Sequence, residues 1–320
     1  MKTPVLLIAW RRPHTLRQVI DAIRPVAPCR LFVACDGPNP ERPGEAEKVA
    51  ATRTVIEEEI DWPCEMQQLY SDSNQGCRLG VSRAITWFFE QVEEGIILED
   101  DCVPHPDFFP YCTELLERYR HDTRVWCISG NNFQNGRWRG DGSYYFSRYN
   151  HCWGWATWRH CWSHYDRELL HWPSLKASGL LGSIFENSRE AKYWTRIWDR
   201  LLHEGKPDTW DYQWTLTCLM NGGITALPNR NLVTNIGFAM DACHTTTAPS
   251  SAMPLSNFVN ATSPSGLFPL RHPGFTLQDK SADAYTYKHH FSISLALRLG
   301  QRLQLGKPRR SARTRLESND

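Results

Sequence analysis

The sequence predicts an α/β fold built on a parallel sheet, and three observations carry that expectation. Short apolar runs alternate with longer helix-patterned stretches, as in consecutive strand, helix, strand units. The runs Val5-Leu6-Leu7-Ile8-Ala9, Leu31-Phe32-Val33-Ala34-Cys35 and Gly95-Ile96-Ile97-Leu98 are continuously apolar, as strands covered on both faces must be. Each run then gives way at once to polar or charged residues. Parallel strands joined by right-handed crossovers point the same way, so these polar ends converge on the sheet edge where α/β proteins hold ligands.

The first strand is residues 5–9, broken by Trp10-Arg11-Arg12-Pro13, with Thr15 read as the N-cap of a helix to Ile23. The second ends in the turn Asp36-Gly37-Pro38-Asn39-Pro40, and a helix over 44–60 follows. Met66-Gln67-Gln68-Leu69-Tyr70 is a weaker third strand. It leads through a flexible loop over 74–80 to an amphipathic helix over 81–91. The fourth strand closes in Glu99-Asp100-Asp101. Asp107 is placed to cap a helix over 108–120, and 125–130 reads as another strand. Residues 131–150 are polar and aromatic, suggesting a long functional loop or a hairpin. A further strand is expected over 222–228, followed by a polar stretch through His244.

Composition narrows the function. The chain has 320 residues with a net charge of +1, which gives no reason to expect nucleic acid as a partner. It carries eleven cysteines with no Cys-x-x-Cys pair, which favours reduced thiols in a cytoplasm over a disulfide or zinc framework. The N-terminal apolar run is too short for a signal peptide, and no window has the roughly 20 apolar residues of a membrane span. Fourteen tryptophans are the outlier. Those at 153, 155 and 158 form either a platform for a sugar ring or a lock onto the sheet.

The acidic triplet is the focus. Adjacent carboxylates at a strand end repel one another and resist desolvation unless a cation or several donors offset the cost. A solvated acidic turn is the bland alternative; a divalent metal carrying phosphate is the functional one. No Gly-x-Gly-x-x-Gly fingerprint and no Gly-Lys-Ser/Thr phosphate loop occurs, so any nucleotide is bound another way. Arg12, Asp36 and Asp101 all follow strand ends and suit a nucleoside diphosphate. In that arrangement Arg12 neutralises phosphate, Asp36 accepts from a base or ribose, and Asp101 holds the metal. Asp211, flanked by Trp210, Tyr212 and Trp214, is either a partly desolvated general base or the N-cap of the helix that follows it. His244 is a metal ligand, a phosphate contact or a structural histidine.

Residues 249–273 are Ser- and Pro-rich and read as a covering segment or lid. The end of the chain, 295–315, holds Arg298, Arg302, Lys307, Arg309, Arg310, Arg313 and Arg315 among leucines, with no acid. It is either a basic amphipathic helix lying peripherally on an anionic membrane or a solvated tail. The expected organisation is a main domain over 1–248, a covering segment over 249–290 and a basic tail over 291–320.

Residues 4–16, the Asp36 turn, Glu99-Asp100-Asp101 with Pro106-Asp107-Phe108-Phe109 after it, and Trp210-Asp211 together resemble the GT-A glycosyltransferases. The likeness is to the N-acetylglucosaminyltransferase I type and its bacterial sugar-transferase relatives, and it covers roughly residues 4–245. Residues 131–203 do not follow the pattern, and the signal-anchor and stem of the animal enzymes are lacking. The resemblance implies a GT-A, Rossmann-like nucleotide-diphospho-sugar transferase fold with a mixed, mainly parallel sheet. It implies Asp101 as ligand of Mn2+ (or Mg2+), Arg12 and Asp36 as nucleotide contacts, and Glu99 and Asp100 around the donor. Asp211 would be the base of an inverting transfer from a nucleotide-sugar donor, UDP-linked by expectation, to a glycan or glycolipid acceptor. The alternatives are a sugar-nucleotide nucleotidyltransferase and a non-catalytic carbohydrate-binding protein.

Overall fold

The computed structural model describes residues 1–237 and 265–292. Four strands form its parallel half: β1 (Val5–Ala9), β2 (Arg30–Cys35), β3 (Glu65–Tyr70) and β4 (Glu94–Glu99). They lie in the order β3-β2-β1-β4, with Val5 in register with both Leu31 and Ile96. The crossovers are α1 (Pro13–Ile23), α2 (Glu45–Glu59) and α3 (Gly76–Gln91). Every residue of β1 is buried, as the continuous apolar run requires of a strand with helices on both faces.

The sheet continues past β4 with strands of mixed direction. After a short β5 (Cys102–Pro104) and α4 (Phe108–Tyr119) come β6 (Val125–Ser129), β7 (Tyr144–Ser147) and β8 (Trp155–Trp158). The helices α5 (Arg159–Trp162), α6 (Trp172–Ala177), α7 (Leu181–Ile184), α8 (Ser188–Glu204) and α9 (Asp211–Met220) lead to β9 (Ile224–Pro228). The full order is β3-β2-β1-β4-β8-β6-β9-β7. β8 runs antiparallel between β4 and β6, β9 is parallel to β6, and β7 is antiparallel to β9. The chain therefore has the expected α/β, Rossmann-like class, with a mixed and mainly parallel central sheet. β10 (Val233–Asn235) pairs with β5 in a small antiparallel sheet.

Several local expectations are corrected. The helix over 13–23 begins with Pro13 at its first position and Arg12 as N-cap; the Thr15 hydroxyl instead donates to the Arg12 carbonyl at 3.1 Å. Pro belongs there because its missing N–H would be unpaired anyway. Asp107 makes no cap hydrogen bond, since its carboxylate accepts from the backbone N–H and hydroxyl of Ser265. The expected loop over 74–80 is largely helix, because α3 starts at Gly76. Within residues 265–292 the chain is irregular up to α10 (Lys280–Thr286), which continues into a π-turn over Tyr287–Phe291. Residues 293–320, and with them the basic tail, lie outside the described residues.

The tryptophans divide. Trp155, Trp158, Trp172, Trp194, Trp198 and Trp214 are fully buried, so most of the Trp-rich stretch is core. Trp172, Trp194 and Trp198 join Tyr149 and Tyr287 in a second apolar cluster on α6, α8 and the C-terminal turn. At its border Phe133 packs on His151 with centroids 4.1 Å apart and on His290 at 5.1 Å. His151 is 4% exposed, and the Nε2 atoms of both histidines lack a hydrogen-bond partner. Desolvation, with the neighbouring His290 adding to it, pushes His151 down to about 3.

A histidine whose folded-state pKa is depressed contributes nothing to the pH dependence above its unfolded value of about 6.5, where both states are neutral. Below that pH the unfolded chain gains the proton first. Stability should therefore fall as pH drops from about 6.5 toward 3, by up to about 1.4 kcal/mol per pH unit for this residue. Urea titrations across that range should show the loss, and His151→Phe, which removes the titrating ring from an apolar site, should flatten it.

Candidate active site

The parallel register of β1, β2 and β4 brings Trp10-Arg11-Arg12, Asp36 and Glu99-Asp100-Asp101 to one edge of the sheet. A cavity of about 830 Å³ opens there, lined by all of them and, from the other side, by Cys152, Trp153 and residues 207–212. Of the tryptophans at 153, 155 and 158, only Trp153 reaches it. Asp101 comes from the end of β4, and Asp211 from the first residue of α9.

The acidic triplet is held by Arg12. Its guanidinium donates through Nη2 to Asp100 Oδ1 and lies 2.9 Å from Asp101 Oδ2 through Nη1. Asp100 is 2% exposed and also accepts the Trp10 backbone N–H at 3.1 Å. Desolvation pushes the Asp100 carboxyl up despite the Arg12 charge that opposes it. Glu99 is pushed up as well, by desolvation first and then by the charges of Asp101, Asp100 and Asp211. Asp211 thus lies close enough to influence the triplet electrostatically.

Asp101 is supported from β10. Asn235 Nδ2 lies 3.4 Å from its Oδ1, and the Ile236 N–H donates to its carbonyl at 2.8 Å. A Cβ on Gly237 would sit 2.0 Å from Asp101 Oδ2 and 2.9 Å from Arg12 Nη1, so no side chain fits there. Asp36 is already engaged: it accepts from the backbone N–H groups of Gly37 at 2.9 Å and Gln75 at 3.0 Å, and from Asn74 Nδ2 at 2.9 Å. Burial raises its pKa and these donors oppose the rise. Trp210 is the N-cap of α9 and Asp211 its first residue; the Asp211 carboxylate accepts from the Thr209 hydroxyl. His244 lies outside the described residues.

The donor set fits a metal only in one form. Among the described residues no group of three or more His, Cys, Asp or Glu side chains is arranged to enclose an ion. A hard divalent ion bound by one or two carboxylates, with phosphate and water completing the shell, remains compatible with Asp101. Arg12 marks the spot by supplying the positive charge beside that carboxylate. The cavity also has cations that strand-end reasoning did not single out: Arg11, Arg42 and Arg83 line it with Arg12. Arg11 lies 4.2 Å over the Trp10 ring and pairs with the buried Glu45 at 2.6 Å.

No protein-family model matches the sequence, and no curated protein does. Solved structures similar to the chain include 4-diphosphocytidyl-2C-methyl-D-erythritol synthase from Anaerococcus prevotii, at 10% identity and a TM-score of 0.33 over 62% of this chain and 84% of that one. UDP-glucose pyrophosphorylase is similar in its apo form at 10% identity and a TM-score of 0.35, covering 71% of this chain and 91% of that one. Its complex with UDP-glucose gives 8% identity and a TM-score of 0.30, covering 51% and 79%.

Removing Arg12 leaves two carboxylates facing each other at the end of a buried strand. Arg12→Leu should destabilise the fold by roughly 3 kcal/mol at pH 8, the scale for breaking a buried ion pair. The loss should shrink near pH 5, where Asp100 can take up a proton instead. Chemical denaturation of both proteins at the two pH values checks this.

Proposed function

We propose that this chain is a metal-dependent glycosyltransferase that moves a sugar from a nucleotide-sugar donor, most simply a UDP-sugar, to a hydroxyl of a glycan or glycolipid. The observation that carries the proposal is that Asp101, just after β4, and Asp211, at the start of α9, line one cavity. That arrangement lets one carboxylate serve the donor diphosphate and the other the acceptor. Arg12 and the neighbouring arginines suit the diphosphate, with Glu99 and Asp100 beside the donor sugar and Asp36 fixing the loop at the nucleotide end. When bound at Asp101, Mn2+ or Mg2+ would offset the charge that develops on the leaving diphosphate.

Asp211 takes the proton of the acceptor hydroxyl, whose oxygen then attacks the anomeric carbon. The bond from that carbon to the diphosphate oxygen breaks, the nucleoside diphosphate leaves with the electron pair, and the configuration inverts. Holding acceptor and donor at contact distance in this cavity supplies much of the rate. We place the enzyme in the cytoplasm, in bacterial polysaccharide synthesis, with the basic tail as its contact with a membrane surface. Among the described residues no helix is long and apolar enough to cross one.

Sugar-nucleotide nucleotidyl transfer is the second reading, and it is the kind of activity for which the similar solved structures are named. The four arginines at the cavity suit a triphosphate as well as a diphosphate. The two readings differ in nucleophile and leaving group. Nucleotidyl transfer uses a sugar phosphate oxygen, which needs no base, attacks a nucleoside triphosphate and releases pyrophosphate. Incubation with manganese and either a panel of nucleotide sugars with glycan and glycolipid acceptors, or a nucleoside triphosphate plus sugar phosphates, separates them. The proposal predicts release of nucleoside diphosphate in the first case, while pyrophosphate in the second would replace it with the rival.

Asp211→Asn should keep donor binding within about twofold and lower transfer by at least 100-fold, the usual worth of a general base. Transfer at the wild-type rate would remove Asp211 from the chemistry.

A further inference from the structure

The loop between α8 and α9 carries Asp208, Thr209 and Trp210 and leads directly into Asp211, the first residue of α9, and two contacts anchor it. At one end Trp210 stacks on Trp155 with centroids 5.5 Å apart, and its carbonyl accepts from the Tyr165 hydroxyl at 3.0 Å. At the other end the Asp208 carboxylate reaches the amino end of α3. Its Oδ2 accepts the Cys77 N–H at 2.8 Å and its Oδ1 the Arg78 N–H at 3.1 Å. These are first-turn donors that the helix cannot satisfy itself, and a negative charge there is also favoured by the helix dipole. The preceding Gln75 is the N-cap by position but makes no side-chain cap, so a carboxylate from a segment 130 residues away does that work.

The fit around this contact is close. Gly76 has φ of +79°, and a Cβ there would lie 2.6 Å from Asp208 Oδ2, so a side chain at 76 would push the carboxylate off. On the other side of the same helix start, Asp36 binds the backbone of Gln75. Two carboxylates therefore bracket the amino end of α3, one from the β2 wall of the cavity and one from the Asp211 wall. Both line the cavity.

We propose that Asp208 is a positioning residue, which ties the Asp211-bearing loop to α3 and so sets the distance between the base and the donor side of the cavity. Asp208 acts through Thr209, whose hydroxyl donates to the Asp211 carboxylate. This rests on the reading of Asp211 as the base, and it assigns the connection between the two walls to one side chain at the cavity mouth. Because Asp208 is exposed, its loss should leave the core intact.

The test uses the full chain with Asp208→Ala and Asp208→Asn. Hydrogen exchange should be at least about tenfold faster at the Cys77 and Arg78 amides and across 205–212 in Asp208→Ala, with the rest of the chain unchanged. With a nucleotide sugar and manganese, kcat should fall about tenfold while the donor KM stays within about twofold, since the base and not the donor is displaced. Asp208→Asn, which keeps one acceptor oxygen, should recover part of both effects. Unchanged exchange would overturn the latch, and unchanged kcat would overturn its role in positioning. A rise in donor KM matching the fall in kcat would make Asp208 a donor contact and also overturn the proposal. The exchange measurement needs no turnover, so a wild-type protein that transfers no sugar would sink the proposed function while the latch is still decided.

Discussion

Carboxylates brought together at the end of a buried strand repel each other and lose their hydration, and both costs grow as the surroundings become less polar. In this chain the Arg12 guanidinium supplies the charge that offsets them, joined by the Trp10 N–H at Asp100 and Asn235 beside Asp101. Arg12 contacts Asp100 and Asp101 at once, and it can do so because Pro13 starts α1 immediately after the β1 edge and turns Arg12 toward β4. The small sheet of β5 and β10 completes the arrangement by laying Asn235 and Gly237 against Asp101.

The same balance suggests why the site can respond to a ligand. Under the proposed function a divalent cation and the guanidinium would compete for the same carboxylate, and an incoming diphosphate would offer Arg12 an alternative partner of the same charge. Binding of metal and nucleotide would then be coupled through an exchange of ion pairs, with no requirement for a large movement of the backbone.

Much of the parallel half was legible in the sequence because its physics is local. Doubly covered strands must be continuously apolar, so β1, β2 and β4 stand out, and their shared direction already places Arg12, Asp36 and Asp101 at one edge. What could not be read depends on contacts between distant residues. β5 and β10 have three residues each, too few for a periodic signal. The early start of α3 is fixed by Asp208, which no local pattern connects to Gly76. Asp107 has the position of an N-cap but is claimed by Ser265. For the tryptophans the choice between platform and core came out differently residue by residue: Trp155 and Trp158, inside β8, are both buried, whereas Trp153, ahead of the strand, lines the cavity.

In the proposed function Asp101 holds a divalent metal that in turn holds a nucleoside diphosphate. Calorimetric titration of wild type and Asp101→Ala with UDP, with and without manganese, measures this. Wild type should bind only with manganese, and the variant, folded by circular dichroism, should not bind. Binding of the same affinity in the variant, or no manganese-dependent binding of UDP, GDP or another nucleoside diphosphate by the folded wild type, would contradict it.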